Sequence, residues 1–225
     1  MTALRPWSAV LFSLRGLLLV FAASLCVASF AASPLSRAQA LAGLNQPEPR
    51  DRLTALAGLA QLGEASDAAR VMALLRDADA AVRAAAEAAV WLIWSRSGNA
   101  QVDRLHEQGV AQMQNGALED ALATFSQVIG LRPAFAEGWN KRATVHFLMG
   151  KHALSLKDCD EVFKRNPQHF GALSGAGQIH LQLGDLRRAR DFFRRALEAN
   201  PNLDGAAQLL PLIEERIRRD DKQRT

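Results

Sequence analysis

A glycine and a proline recur together at a fixed interval in the second half of the chain, and this period most constrains the fold. Both residue types return every 34 positions, as Gly116, Gly150 and Gly184 and as Pro133, Pro167 and Pro201. Glycine readily adopts the left-handed conformation that closes a helix, whereas proline cannot continue one. Each unit is therefore predicted to be two helices, joined at the glycine and ended before the proline. The predicted pairs are 102–115 with 118–131, 136–149 with 152–165, and 170–183 with 186–199.

The side chains within each unit resemble the tetratricopeptide repeat (TPR) family. We number each unit from its first residue, which is Val102, Ala136 or Phe170. Small residues occupy place eight (Gly109, Ala143, Gly177) and place twenty (Ala121, Ser155, Ala189), and large residues occupy place four (Leu105, Trp139, Leu173). Place eleven departs from the family's usual tyrosine, with Gln112, His146 and His180. The resemblance covers 102–201 and implies an all-α fold, an α-solenoid of three repeats at 102–135, 136–169 and 170–203.

A solenoid needs a polar outer cap after its last repeat. Residues 203–219 carry Leu and Ile on one side and charged residues elsewhere, so they are predicted to form a capping helix. Pro211 lies inside this segment, which predicts a kink or a late start. Residues 220–225 are expected to be a frayed tail.

Residues 50–97 are also predicted to be helical, near 49–62, 66–76 and 80–96, but they do not follow the period of 34. The run from Asp79 to Arg83, followed by several alanines, resembles the second helix of a HEAT repeat. The resemblance implies that Asp79 caps the helix and that Arg83 reaches back to loop carbonyls or acids. The apolar run 89–94, which contains Trp91 and Trp94, predicts a buried junction between the two modules. The alternative is an exposed docking patch.

Residues 1–40 are predicted to be a signal peptide or membrane anchor. Arg5 and Arg15 precede or border an uncharged apolar run of 17 residues, 16–32, and no acid occurs before it. Small residues at Ala38-Gln39-Ala40 predict cleavage before Leu41, with Ser29-Phe30-Ala31 as a second candidate. Residues 41–49 are predicted to be a linker. The expected location is the periplasm or cell envelope of a bacterium, with an uncleaved anchor in the inner membrane as the alternative.

The sequence contains no motif of a known enzyme class and predicts neither a metal nor a cofactor. It has no phosphate-binding glycine loop, no Cys-x-x-Cys, no His-Glu-x-x-His and no Gly-x-Ser-x-Gly. Cys159 occupies a core place, and His146 and His180 lie one repeat apart, too far to share a metal. The net charge of +4 is small and the arginines alternate with acids, so no nucleic acid is expected as a partner.

The resemblance implies that the first helices of the repeats line a groove that binds an extended or helical peptide. Asn140 is the residue type that holds a ligand backbone in related domains. The predicted function is a non-enzymatic scaffold that binds a protein or peptide. Two alternatives remain: an enzyme whose site is not encoded by a motif, and an adaptor whose Arg-rich helices dock an acidic partner or an anionic membrane. The predicted peptide-binding residues are Asn140, Thr144, His106, Val110, Glu137, Ser174, Gln178 and Gln182.

One ligand class is disfavoured within this family. Chaperone-tail-binding members clamp a carboxylate with a set of Lys, Asn and Arg residues. The corresponding region here has His106 and Val110 in the first repeat and Gly171 and Gly175 in the third. An acidic chaperone tail is therefore not the expected ligand.

Overall fold

The computed structural model describes residues 35–223, and the three repeats form the expected helix pairs. The second helix of each repeat has the predicted bounds, and the ends of the first helices lie within two residues of the predicted ones. The pairs are α5 (Ala100–Gln114) with α6 (Leu118–Leu131), α7 (Ala136–Leu148) with α8 (His152–Arg165), and α9 (Phe170–Gln182) with α10 (Leu186–Ala199). The described part of the chain is all-helical, which confirms the predicted fold class.

The periodic glycines turn the chain between the two helices of each repeat. Gly116, Gly150 and Gly184 have φ angles of 78°, 71° and 76°. This left-handed conformation is one that a residue with a Cβ atom seldom adopts. The glycine period therefore reflects a backbone requirement that is repeated three times.

Small residues at place eight allow the two helices of a repeat to approach closely. A Cβ atom added to Gly109 would lie 2.8 Å from the Phe125 ring, and one added to Gly177 would lie 3.0 Å from the Phe193 ring. Phe125 and Phe193 are both buried. The glycines at place eight therefore leave the space that these two phenylalanine rings of the second helices fill.

Helix α11 (Asp204–Lys222) covers the third repeat. Its Ala206, Ile213 and Ile217 pack with Phe193 and Ala189 of α10. The helix continues through Pro211 and extends three residues beyond the predicted end at 219. The predicted fraying from 220 onwards is therefore wrong for residues 220–222, which are still helical.

From residue 35 onwards, four α-helices precede the repeats: α1 (Arg37–Gly43), α2 (Pro49–Leu62), α3 (Ala68–Ala73) and α4 (Ala80–Trp94). We call residues 35–97 the N-terminal module. Asp79 accepts hydrogen bonds from the backbone amides of Ala81 and Val82. Arg83 donates to the carbonyl oxygens of Asp77 and Ala78. The capping and bracing roles expected from the HEAT-like pattern are both present.

The predicted linker at 41–49 is in part wrong. Helix α1 runs to Gly43, and Leu44 is buried in the core of the module. Pro49 ends the predicted linker and is also the first residue of α2, whose bounds match the helix predicted near 49–62. A proline is tolerated at this position because that amide has no partner in the helix.

Helix α1 also bears on the predicted cleavage site before Leu41. Ala40 is fully buried. The Arg37 guanidinium donates to both carboxylate oxygens of Asp67, each at 2.7 Å, and this holds the pKa of Asp67 below its ordinary value. Cleavage before Leu41 would remove both Arg37 and Ala40 from the folded module. The apolar run 16–32 lies outside the described residues.

The N-terminal module packs against the third repeat. Ile93 and Trp94 share one buried core with Phe170 and Leu173 of α9. Asn202 donates to the carbonyl oxygen of Leu75 at 2.7 Å. The predicted junction at Trp91 and Trp94 is confirmed by this packing. Within residues 35–223, no helix has both the length and the hydrophobicity to cross a membrane.

Candidate functional site

The first helices of the three repeats lie side by side. Helix α7 contacts both α5 and α9, so the predicted groove residues from all three repeats belong to one face. We call this face the groove. Val110, Thr144 and Ser174 are half-buried there, and Gln182 is exposed. His106, Glu137, Asn140 and Gln178 are buried.

Glu137 is the centre of a buried polar cluster at the start of α7. Its side chain is 1% exposed. The ammonium group of Lys141 lies 2.9 Å from Oε1 of Glu137. His169 Nε2 lies 2.9 Å from Oε2, and the Asn140 amide donates to the same oxygen at 3.0 Å. The buried carboxylate therefore has a charged partner and two polar neighbours.

The surroundings of His169 fix which of its nitrogens carries the proton. The backbone amide of Ala172 donates to Nδ1 at 3.2 Å, so Nδ1 is an acceptor. In the neutral ring the proton is then on Nε2, which donates it to Glu137. His169 thereby caps α9 and binds the carboxylate at the same time.

The charge of Glu137 is maintained despite burial. Burial alone would raise the pKa of Glu137, but Lys141, His169 and His106 lower it well below its ordinary value. The carboxylate is therefore ionised across the physiological range, and Asn140 is committed to it through its amide nitrogen. The sequence predicted Asn140 as a ligand contact, and its side-chain nitrogen already has this partner within the chain.

Trp91 of α4 occupies the edge of the groove next to this cluster. Its ring contacts Trp94, His169 and Phe170 with edge-to-face geometry at centroid distances of 5.6, 5.6 and 5.0 Å. Trp94 stacks on His169 at 4.4 Å. Lys141 lies 5.7 Å from the Trp91 ring centroid. One face of the buried polar cluster is thus covered by aromatic rings from the N-terminal module.

Gly171 provides the space that Trp91 needs. It holds place two of the third repeat, the place that Glu137 holds in the second. A Cβ atom there would overlap the Trp91 ring. The sequence did carry a signal, namely a glycine at a groove place and two tryptophans in an apolar helix, but nothing in it linked residues 80 positions apart.

The open part of the groove lies farther along the first helices. Val110, Thr144, Ser174 and Gln182 remain accessible. Gln178 is 8% exposed, and its side-chain oxygen has no hydrogen-bond partner within the described residues. A buried acceptor without a donor is costly, so it is suited to receive an N–H group from a bound molecule.

His106 lies deeper, beneath the first repeat's part of the groove. Its ring contacts Phe125 and Phe135 at centroid distances of 6.0 and 5.6 Å. Burial lowers the pKa of His106. Its Nε2 atom has no hydrogen-bond partner within residues 35–223. His106 is consequently a neutral core residue at neutral pH rather than an exposed contact.

Burial or neighbouring charged groups constrain the other reactive side chains, those of Cys159 and His146. Burial raises the pKa of the Cys159 thiol to about 12, so it is not a thiolate near neutral pH. His146 Nε2 lies 3.8 Å from Asp158, but Arg142 binds both oxygens of that carboxylate at 2.8 Å. The described residues contain no group of three or more His, Cys, Asp or Glu side chains arranged to hold a metal.

The arginines of α10 and α11 largely have acidic partners within the chain. Arg194 pairs with Glu214 at 2.6 Å, and Arg187 pairs with Asp221 at 2.5 Å. Arg195 lies over the rings of Phe163 and Phe192 instead. These pairs lower the net positive charge available to an acidic partner. The further pairs are Arg188 with Asp185, Arg190 with Asp191, Arg216 with Asp220, and Arg218 and Arg219 with Glu215.

Comparison with known proteins gives the family. A sequence model of the tetratricopeptide repeat matches residues 106–162 and 141–204. A TPR repeat-containing protein of Rhizobium etli is 32% identical over 142 residues, which cover 63% of this chain and 69% of that protein. This chain belongs to the TPR family. TPR proteins act as protein-interaction adaptors, and this TPR chain has the repeat geometry described above.

Other proteins match shorter parts of the chain. DnaJ homolog subfamily C member 3 of Homo sapiens is 32% identical over 104 residues, which cover 46% of this chain and only 21% of that protein. The first TPR domain of Spaghetti (RPAP3), solved with an HSP90 peptide, aligns with a TM-score of 0.51 and 24% identity over 53% of this chain and 95% of its own. The Yersinia enterocolitica secretion chaperone SycD, solved with a YopD peptide, aligns with a TM-score of 0.50 and 18% identity. The alignment covers 52% of this chain and 95% of SycD. Because both identities are below 25%, these two solved structures show only that the fold is shared.

Proposed function

We propose that this TPR protein is a non-enzymatic adaptor that binds a peptide or protein segment along the open part of its groove. The observation that carries the proposal is the division of the groove into a closed and an open part. Trp91 and the Glu137 cluster close one part, whereas Val110, Thr144, Ser174 and Gln182 remain accessible. A ligand segment would lie across these four residues.

The open part favours a ligand with free backbone N–H groups and apolar side chains. Gln178 offers an acceptor without a donor. Leu148 on α7 is half exposed, and Val110 on α5 is half-buried. The solved relatives were studied with an HSP90 peptide and a YopD peptide, which supports a peptide as the ligand class. The carboxylate clamp is missing here, so we do not propose an acidic chaperone tail.

The test compares two arginine substitutions in the full chain tagged after Thr225. Thr144→Arg places a long cation in the middle of the open groove. Ala153→Arg is the matched control, because Ala153 is exposed on α8, the second helix of the same repeat. Proteins that copurify from cross-linked, fractionated cells are quantified for each variant, and melting temperatures confirm that both variants fold.

We expect a copurifying protein that is retained by Ala153→Arg and reduced at least tenfold by Thr144→Arg. If every copurifying protein is recovered equally with both variants, the groove is not the binding surface. The control matters because it adds the same charge to the same repeat. A loss with Thr144→Arg alone therefore reports on the groove.

We further propose that the chain acts in the cell envelope and that its leader, when removed, is cut after Ala31. The basic and apolar pattern of residues 1–32 supports export, and the buried α1 disfavours the cut before Leu41. Mass spectrometry of the envelope fraction should then show an N-terminus at Ala32. Recovery of the full-length chain in the cytoplasm would contradict export, and an N-terminus at Leu41 would contradict the role given to α1.

A further inference from the structure

Within the part of the chain that the structure describes, one end of the first repeat is uncovered. In repeats two and three, the first helix packs on the second helix of the preceding repeat, as α7 does on α6 and α9 on α8. Ala176 at place seven of the third repeat is fully buried against Cys159 of α8. The same place in the first repeat is Gln108, which is exposed. Among residues 35–223, no helix packs on the first repeat in the way that α6 packs on α7.

The residues at this end line a surface cleft of about 640 Å³ between α5 and α6. We call it the end face. Leu131 is 52% exposed, and a Cβ atom added to Gly130 would meet nothing within 4 Å. The end face therefore has an apolar centre open to solvent. Its other members are Leu105, Gln101, Arg104, Gln108 and Gln127.

The rest of the described chain does not serve as the cap. Helices α1–α4 could have continued the solenoid at its start, but they pack on the third repeat through Trp94 and Phe170. Helix α11 covers the opposite end. A solenoid end that exposes leucine is a liability for solubility, since terminal repeats normally carry a polar outer face.

The chemistry of the end face suits a second copy of itself. Its rim is formed by the side-chain amides of Gln101, Gln108 and Gln127, and an amide both donates and accepts hydrogen bonds. Two identical amide rims can therefore pair about a two-fold axis, whereas two rims of like charge would repel. Arg104 is the one charged residue that lines the end face. Glu107, three residues farther along α5, is exposed and carries the opposite charge.

We infer that the end face forms a two-fold symmetric interface between two copies of this chain. An isologous contact of this kind closes after two subunits and does not propagate into a filament. Leu131 of each copy inserts between α5 and α6 of the other. The groove for the peptide lies on the first-helix face, so dimerisation and ligand binding use separate surfaces.

The first test is photocrosslinking within cells. Two copies of the full chain with different tags are coexpressed, each carrying Leu131→p-benzoylphenylalanine. We expect a product of twice the mass that contains both tags. Leu212→p-benzoylphenylalanine is the control, because Leu212 is 67% exposed on α11 at the other end of the solenoid and should not give this product.

Each other outcome overturns the inference, and a crosslinked product also identifies what covers the end face. A crosslink from position 131 to residues 1–34 of the same chain would show that the leader covers the end face. A crosslink to a different protein would assign the end face to a partner. The absence of a crosslinked product would leave the end face facing solvent.

The second test measures mass directly. Sedimentation equilibrium of the purified full chain in density-matched detergent should give a dimer, and Leu131→Arg should raise the dissociation constant at least tenfold. The melting temperature should change little, because Leu131 is half exposed in the single chain. Thr144→Arg should leave the dimer intact, so a failed groove proposal and a failed dimer proposal give different results.

Discussion

At the scale of single residues, Gly171 decides where α4 can lie. We predict that Gly171→Ala lowers the free energy of unfolding by about 1–3 kcal/mol, because the added methyl group overlaps the Trp91 ring. Gly175→Ala is the matched control, since nothing lies within 4 Å of its added Cβ atom. This second change should raise the stability by up to about 1 kcal/mol through helix propensity. Urea unfolding of both variants measures the difference, and equal gains from both would contradict the packing of Trp91.

Glu137 gives a prediction about pH. The pKa of this carboxyl is below its ordinary value of 4.5 in the folded chain, so its stabilising contribution is present above about pH 4.5 and is lost as the pH falls further. Glu137→Gln should therefore lower stability by about 2–4 kcal/mol at pH 7, because it leaves Lys141 without its buried partner. The difference in the free energy of unfolding between the unsubstituted chain and Glu137→Gln should become smaller below about pH 4.5. A gap that stays constant from pH 7 to pH 3 would mean that Glu137 is not charged in the folded state.

The sequence pattern predicts one helix face for the groove residues, but it could not give the burial of their side chains. The face follows from local spacing within each 34-residue unit. The burial of Glu137 and Asn140 depends on the polar cluster and on rings from another module, and these contacts join positions far apart in the chain. A sequence pattern of local period contains no information on such contacts.

At the scale of elements, the repeat helices were predictable because residues within each unit determine where its helices begin and end. The turn glycine, the terminal proline and the small place-eight residue all act within one unit. Helix α1 was missed since seven residues are too few to show a helical period, and the prolines near it suggested a linker. Pro211 likewise suggested an interruption, whereas the apolar contacts of Ile213 and Ile217 with the third repeat hold α11 together.

Gly177 tests the packing within a repeat. Gly177→Leu should destabilise the chain by about 2–4 kcal/mol, because the larger side chain meets the buried Phe193 ring where the helices cross. The melting temperature by circular dichroism is the readout. A value within about 2 °C of the unsubstituted chain would show that place eight is not at the helix crossing.

At the scale of the whole molecule, the N-terminal module is part of the repeat domain rather than a separate unit. Trp94, Ile93, Phe170 and Leu173 form one continuous core across the two sequence patterns. This packing places Trp91 at the groove and leaves the end face of the first repeat open. The position of the module therefore determines both surfaces that we propose for partners.

The most direct test of this arrangement is a double-mutant cycle between Trp91 and Gly171. Gly171→Ala should destabilise the chain while Trp91 is present, and it should become neutral or stabilising once Trp91→Ala removes the ring. The coupling free energy from urea unfolding should be about 1–3 kcal/mol, well above the 0.3–0.5 kcal/mol scatter of independent sites. If the effect of Gly171→Ala is the same in both backgrounds, α4 does not pack against the third repeat and the account of the groove fails.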